Sequence, residues 1–136
     1  MRNLLILLAL ASTSAHADYL VKCRSTTKHE VGKRICNFDL TAHLHQRNTK
    51  GQQIRSRYSR GVLKHCQNTS KWTYEYSDSW RLSRDTNRQY RLQFSWDDGE
   101  NIVAIRSKNA KHFFGNMSLY GAEIPNVKLK CLVEQI

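Results

Sequence analysis

Helical periodicity is the feature that this sequence of 136 residues lacks most clearly. No segment repeats its apolar residues at the three- and four-residue spacing of an amphipathic helix, which argues against a helical domain. Repeats, low-complexity segments and linker-like stretches are also missing, and Pro125 is the only proline. Beyond a short amino-terminal run, no apolar stretch approaches the ~20 residues that a transmembrane helix needs. The sequence therefore predicts a single domain without a transmembrane segment.

Motifs for catalysis or for a cofactor are absent as well. The cysteine spacings of 13, 30 and 65 residues lack the close pairs of a zinc site. The acidic run Asp97-Asp98-Gly99-Glu100 lacks the ligand spacing of a calcium loop, and Asp-Gly between two alternating segments is typical of a hairpin turn. His43 and His45 could share one face of a strand, but Leu44 belongs to the apolar row, so we expect both imidazoles on the solvent side. The sequence predicts no cofactor and no metal site.

Residues 1–17 have the three parts of a cleavable signal peptide. Arg2 supplies a positive charge, eight apolar residues follow from Leu4 to Ala11, and small side chains stand at Ala15 and Ala17. Eight apolar residues are far too few to cross a bilayer. We expect export to the periplasm or to the outside of the cell, and a mature single domain of residues 18–136.

Strict alternation of apolar and polar residues, the period of a β-strand, covers most of the mature chain. Tyr90, Leu92, Phe94 and Trp96 alternate with polar residues, and turn-forming clusters separate the alternating segments. This pattern predicts eight or nine strands, near 19–24, 33–45, 53–66, 71–76, 80–84, 89–96, 102–106, 111–120 and 127–133. Short connections imply antiparallel neighbours, so we expect an all-β domain, either a sandwich or an up-and-down barrel. The barrel is favoured because it leaves no open edge.

Aromatic residues are concentrated in one part of this pattern. Seven large rings fall between residues 72 and 96 at strand period: Trp72, Tyr74, Tyr76, Trp80, Tyr90, Phe94 and Trp96. Such a row can form a stacking surface for sugars or bases, but it is also what fills a small barrel. We expect these rings to form the core.

The four cysteines all lie in the mature chain, and an even number in an oxidising compartment predicts two disulfides. A closed meander makes the first and last strands neighbours, which favours Cys23–Cys131 and leaves Cys36–Cys66. A Cys23–Cys36 bridge across the first hairpin is a second arrangement that the spacing allows.

Acidic residues are scarce, at 11 against 22 basic ones. Residues 22–64 alone hold eleven basic and two acidic groups, an asymmetry that indicates an anionic partner. Lys22 and Arg24 alternate with the inward row of the first strand, and Lys128 and Lys130 with that of the last. Arg55 and Arg57 form a further outward pair if Ile54 and Tyr58 point inward. The predicted binding residues are therefore Lys22, Arg24, Arg55, Arg57, Lys128 and Lys130.

These features favour an exported, non-enzymatic binding module over an enzyme. Its expected partner is an anionic polymer, an anionic membrane or envelope surface, or an acidic protein. A small secreted hydrolase, such as a metal-independent nuclease with a histidine base and basic phosphate-binding residues, is the first alternative. A secreted inhibitor of another protein is the second.

Overall fold

The computed structural model describes residues 16–31, 34–48, 55–75, 79–85 and 88–136. The predicted signal peptide therefore lies outside the described residues, except for the backbone of His16 and Ala17, which begins the first strand. No helix within these ranges has the length and hydropathy to cross a bilayer. The described strands are β1 (His16–Ser25), β2 (His29–Val31), β3 (Arg34–Cys36), β4 (Phe38–Asn48), β5 (Arg55–His65), β6 (Asn68–Glu75), β7 (Trp80–Arg84), β8 (Tyr90–Trp96), β9 (Asn101–Ser107), β10 (His112–Leu119) and β11 (Ile124–Gln135). A 3-10 helical turn, Tyr120–Ala122, separates the last two.

Nine of these strands form one antiparallel sheet in the order β6-β5-β4-β1-β11-β10-β9-β8-β7, and β2 and β3 form a separate hairpin. The prediction of an all-β, antiparallel domain is confirmed. The sheet curls into a half-barrel in which the first and last strands are neighbours, as the meander required. Among the described residues no backbone ladder joins β6 to β7, so the open edges lie there. Side chains bridge that gap, because Trp72 of β6 stacks on Trp96 of β8 with ring centroids 4.1 Å apart.

The predicted strand over residues 33–45 is divided at Asn37. Its first part, β3, pairs with β2 in a local hairpin that sets Cys36 opposite His29. Its second part, β4, joins the main sheet, and the backbone N–H of Phe38 donates to Ser25 Oγ at 2.9 Å. Local pairing within the hairpin competes with the sheet, which continuous alternation in the sequence does not reveal.

The core lies on the inner face of the curl. Trp72, Trp80, Phe94 and Trp96 are buried in it, so the expectation that the aromatic residues fill the core is confirmed for these four. Tyr90 is half-buried against the same cluster. The side chains of Tyr74 and Tyr76 lie outside the described residues.

Both disulfides have the connectivity that the meander favoured. Cys23 and Cys131 occupy directly opposed positions on β1 and β11 and join segments 108 residues apart. Cys36 and Cys66 join segments 30 residues apart. The longer link holds the two ends of the meander together at the middle of the sheet.

Candidate functional site

A groove of about 880 Å³ opens on the outer face of the sheet, where β1, β4 and β11 lie side by side. Its polar lining comes from the outward rows of these strands, from the first residue of β10 and from the loop after β1. We call it the basic groove, and its charged and titratable lining residues are Lys22, Arg24, Lys28, Asp39, His112 and Lys130. Cys23 and Cys131 also line it, so the long-range disulfide joins two of the strands that carry the groove, β1 and β11.

Opposed like charges stand at the centre of the basic groove. Arg24 faces Lys130 across the β1–β11 ladder and Asp39 across the β1–β4 ladder. Arg24 Nε donates to Asp39 Oδ1 at 2.9 Å, but these side chains are 66% and 50% exposed. Solvent screening limits such a pair to less than about 1 kcal/mol. Direct opposition of two cations in a sheet is destabilising, and Asp39 is the acidic residue of the basic groove placed to offset it.

The other three cations of the basic groove have no acidic partner within the described part of the chain. Among the residues that the structure describes, Lys22, Lys28 and Lys130 form no ion pair. The groove thus gathers four cations against one carboxylate, and positive charge in a concave site concentrates anions from solution.

The charge continues beyond the basic groove as a line of outward residues that crosses the sheet. The strand registers set one residue from each of the nine strands side by side, and we call this line the cross-strand row: Thr69, Lys64, Asp39, Arg24, Lys130, Phe114, Arg106, Arg91 and Ser83. Five of its nine members are cations, and Asp39 is its one acid. Arg91 is also paired, since its Nε lies 3.2 Å from Asp85 Oδ2. At about 4.8 Å between strands, the part from Arg24 to Arg91 extends about 19 Å along the sheet.

His112 brings an imidazole to the edge of the basic groove. It begins β10, opposite Leu132 of β11. Asn109 fixes the approach to this strand, because its Oδ1 accepts hydrogen bonds of 2.9 Å from the backbone N–H groups of Lys111 and His112. The imidazole is exposed and lies in the same groove as the cations.

The structure places the six predicted binding residues in three different settings. Lys22, Arg24 and Lys130 lie together in the basic groove. Lys128 is exposed two residues along β11, opposite Asn116, and does not line the groove. Arg55 begins β5 opposite Asn48, and its side chain lies outside the described residues.

The prediction that Arg57 points outward is wrong. Arg57 shares the inward row of β5 with buried Ser59, and its guanidinium carbon lies 5.7 Å from the centroid of the Trp80 ring. The apolar pattern of β5 is misleading because the inward positions next to Trp72 hold the small residues Ser59 and Gly61. The structure therefore places Arg57 on the inner face and Tyr58 on the outer face, the reverse of what apolarity alone predicts.

Sequence patterns did not single out six residues of this surface as binding residues: Lys28, Lys64, Arg91, Arg106, His112 and Phe114. Phe114 had a detectable signal, since alternation forces one of the adjacent residues Phe113 and Phe114 outward. Phe113 is fully buried and Phe114 is 57% exposed. Arg106 and His112 are placed by the register of β10 with its neighbours, which the sequence does not specify.

His43 and His45 lie on the outward row of β4, as expected, but both are half-buried and not open to solvent, while Leu44 is fully buried between them. His45 Nδ1 is 3.3 Å from Asp18 Oδ1, a contact that forms an ion pair only when the imidazole is protonated. Desolvation, followed by the positive charge of Arg60, lowers the pKa of His43. Within the described residues, the one group of three potential metal ligands within reach of a single ion is Cys36, His65 and Cys66. Its two cysteines form a disulfide and cannot supply thiolates while that bond is intact.

Comparisons with known proteins returned no match, whether to a family model, to a curated protein or to a solved structure.

Proposed function

We propose that the mature protein is an exported binding module whose basic groove holds an anionic polymer. The observation that carries this proposal is the grouping of Lys22, Lys28 and Lys130 in one concave site without an ion-pair partner among the described residues. Strand pairing and the Cys23–Cys131 disulfide hold the strands of this site in place before any ligand arrives. A site that is already ordered loses less conformational entropy on binding.

The extent of the charge favours a polymer over a small anion. Arg106 and Arg91 continue the positive charge away from the basic groove along the cross-strand row. A single phosphate or carboxylate would contact only part of this surface, whereas a chain of regularly spaced negative groups can follow it. Each contact would release counterions, so the affinity of the complex should fall steeply with salt.

The test compares two pairs of substitutions that remove the same charge. Lys22→Ser with Lys130→Ser removes two cations of the basic groove, and Lys71→Ser with Arg81→Ser removes two exposed strand cations outside its lining. Retention on a heparin column is measured as the salt concentration at elution. We expect the groove pair to elute at clearly lower salt than the wild type, and the control pair to elute close to it. On a nucleic acid polymer, loss of two contacts should reduce the slope of log K against log salt by about 1.4 to 1.8.

Two outcomes of this experiment would contradict the proposal. Equal elution of both pairs would assign retention to the total charge and not to the basic groove. Failure of the wild type to bind heparin near physiological ionic strength would reject polyanion binding altogether.

Export is the second part of the proposal and has its own test. Two disulfides among the described residues support it, because such bonds persist in oxidising compartments. The mature protein should begin at Asp18, after the small residues Ala15 and Ala17. The intact mass of protein recovered from the exported fraction measures this directly, and a product that retains Met1 would refute cleavage.

A nuclease is the second candidate, favoured by the position of His112 in the basic groove. Its imidazole could accept the proton of a ribose 2′-hydroxyl as that oxygen attacks the adjacent phosphorus, while the departing 5′-oxygen takes a proton from solvent. Incubation with end-labelled single-stranded RNA tests this. Cleavage by the wild type that His112→Gln abolishes, with heparin retention unchanged, would support the enzyme, and uncut RNA after prolonged incubation would reject it.

A further inference from the structure

An exposed aromatic ring interrupts the cations of the cross-strand row. Phe114 lies between Lys130 of β11 and Arg106 of β9, each directly opposite it in its ladder. The side chain of Phe114 is 57% exposed, although it is near the middle of the sheet and not at an edge or a turn. Ring stacking and cation–π contacts occur elsewhere among the described residues, but none involves Phe114. More than half of the surface of Phe114 is therefore accessible to a ligand.

Aromatic rings between phosphate-binding cations are what proteins use to hold single strands of nucleic acid. Bases stack on the ring whatever their sequence, and cations beside the ring follow the phosphates. Here the strands that carry Lys130 and Arg106 lie on either side of the strand that carries Phe114, each about 4.8 Å from it. Sulfated or carboxylated polysaccharides would use Lys130 and Arg106, and their sugars can contact the ring, but they lack the π face by which a base stacks on it. A flat lipid surface would need several apolar residues to insert together, and the row has only this one large apolar side chain.

We propose that the anionic polymer is a single-stranded nucleic acid, with one base stacked on Phe114 and the neighbouring phosphates on Lys130 and Arg106. This inference rests on the proposed function, since it names the polymer that the basic groove and the cross-strand row would hold. The phosphate chain continues from Lys130 toward Arg24 and Lys22, which places the basic groove at one end of the bound strand.

The experiment separates stacking from charge with two alanine variants and two probes. Phe114→Ala removes the ring, and Tyr120→Ala removes a ring of almost equal exposure, 58%, from the 3-10 turn outside the row. The first probe is an oligothymidylate of about 12 nucleotides, within the ~4–16 that one small domain covers. The second is an abasic deoxyribose-phosphate oligomer of the same length, which keeps the phosphates and lacks the bases. Fluorescence anisotropy gives the affinity for each.

Base stacking on one ring is worth about 1–3 kcal/mol by alanine substitution, so Phe114→Ala should weaken oligothymidylate binding at least about 5-fold. Binding of the abasic oligomer should stay within about 2-fold of the wild type, because the charge is unchanged. Tyr120→Ala should leave both affinities as they are, and Phe114→Trp should keep or increase the affinity for oligothymidylate.

The outcomes distinguish failure of this inference from failure of the proposed function. If the wild type binds neither heparin nor the abasic oligomer, the basic groove does not hold a polyanion and both proposals fall. If it binds both, but Phe114→Ala lowers oligothymidylate affinity no more than Tyr120→Ala does, only the stacking inference is overturned. Equal losses for oligothymidylate and the abasic oligomer would also overturn it. If Phe114→Ala loses binding to vesicles of anionic phospholipid but keeps its affinity for oligothymidylate, the inference is overturned and the ring is assigned to a membrane surface.

Discussion

Replacement of Gly61 by alanine should destabilise the protein through a single contact in the core. A Cβ atom on residue 61 would overlap the six-membered ring of Trp72 and lie 2.7 Å from the carbonyl oxygen of Thr41. Trp72 cannot yield freely, because its other contacts hold it in place. Its ring stacks on Trp96 at 4.1 Å with an interplanar angle of 7°, and its Nε1 donates to Ser59 Oγ at 3.2 Å.

Two estimates of the cost of Gly61→Ala agree. If the indole stays in place and the backbone of β5 shifts, overpacking of this kind costs about 1–3 kcal/mol. If the indole moves, the lost stacking costs about 0.5–1.5 kcal/mol and the lost hydrogen bond a similar amount. Alanine also lowers the backbone entropy of the unfolded chain, which stabilises the folded protein by about 0.4–1 kcal/mol. With mid-range values the net loss is about 1.3 kcal/mol, and at about 4 °C per kcal/mol for a domain of this size the midpoint should fall by about 5 °C.

Thermal unfolding followed by near-ultraviolet circular dichroism measures this change, since the stacked indoles contribute to the signal. Gly121→Ala is the matched control, because its new Cβ would meet only the flexible carboxylate of Glu100, at 3.1 Å. Its midpoint should lie within about 2 °C of the wild type, as surface substitutions usually change stability by less than about 0.5 kcal/mol. A Gly61→Ala midpoint as close to the wild type as that of Gly121→Ala would refute the reasoning.

Three further predictions concern the disulfides, one histidine and the acid of the basic groove. Replacement of both cysteines of Cys23–Cys131 by alanine should lower the free energy of unfolding by about 4–5 kcal/mol, and the same change at Cys36–Cys66 by about 3–4 kcal/mol. The first loss is larger because the longer loop restricts the unfolded chain more. Urea unfolding measures both values, and the reverse order would contradict this prediction. Because desolvation lowers the pKa of His43, the unfolded chain takes up more protons than the folded one, so stability should fall as the pH drops below about 6.5 toward the folded pKa. His43→Gln should flatten this slope, and an NMR titration midpoint of His43 at or above 6.5 would contradict it. Asp39→Asn should raise the salt concentration needed for elution from heparin, while changing the free energy of unfolding by less than about 1 kcal/mol; elution at lower salt would show that this carboxylate orders Arg24 for binding.

Alternation was sufficient to predict most of the strands, because a two-residue period is a local property. The segments predicted near residues 80–84, 89–96 and 102–106 became β7, β8 and β9 with ends shifted by at most one residue. The same reasoning predicted that Asp97 to Glu100 form a turn, and the Glu100 N–H donates to the Asp97 carbonyl at 3.0 Å. Alternation failed at Asn37, where pairing in the local β2–β3 hairpin interrupts the strand, and at Arg57, where Trp72 and Trp80 from elsewhere in the chain lie on the inner face.

The sequence by itself determined the fold class and the outward position of four cations, and it favoured the observed disulfides without excluding a Cys23–Cys36 bridge. Lys22, Arg24, Lys128 and Lys130 flank cysteines or apolar residues that had to face the core, so their own direction followed from the pleat. Tertiary structure decided which of them act together. Register sets Arg24 opposite Lys130, and only the folded sheet brings in Phe114, which lies 90 residues from Arg24 along the chain. A row that crosses nine strands is defined by hydrogen-bond register between distant segments, and no local pattern encodes that alignment.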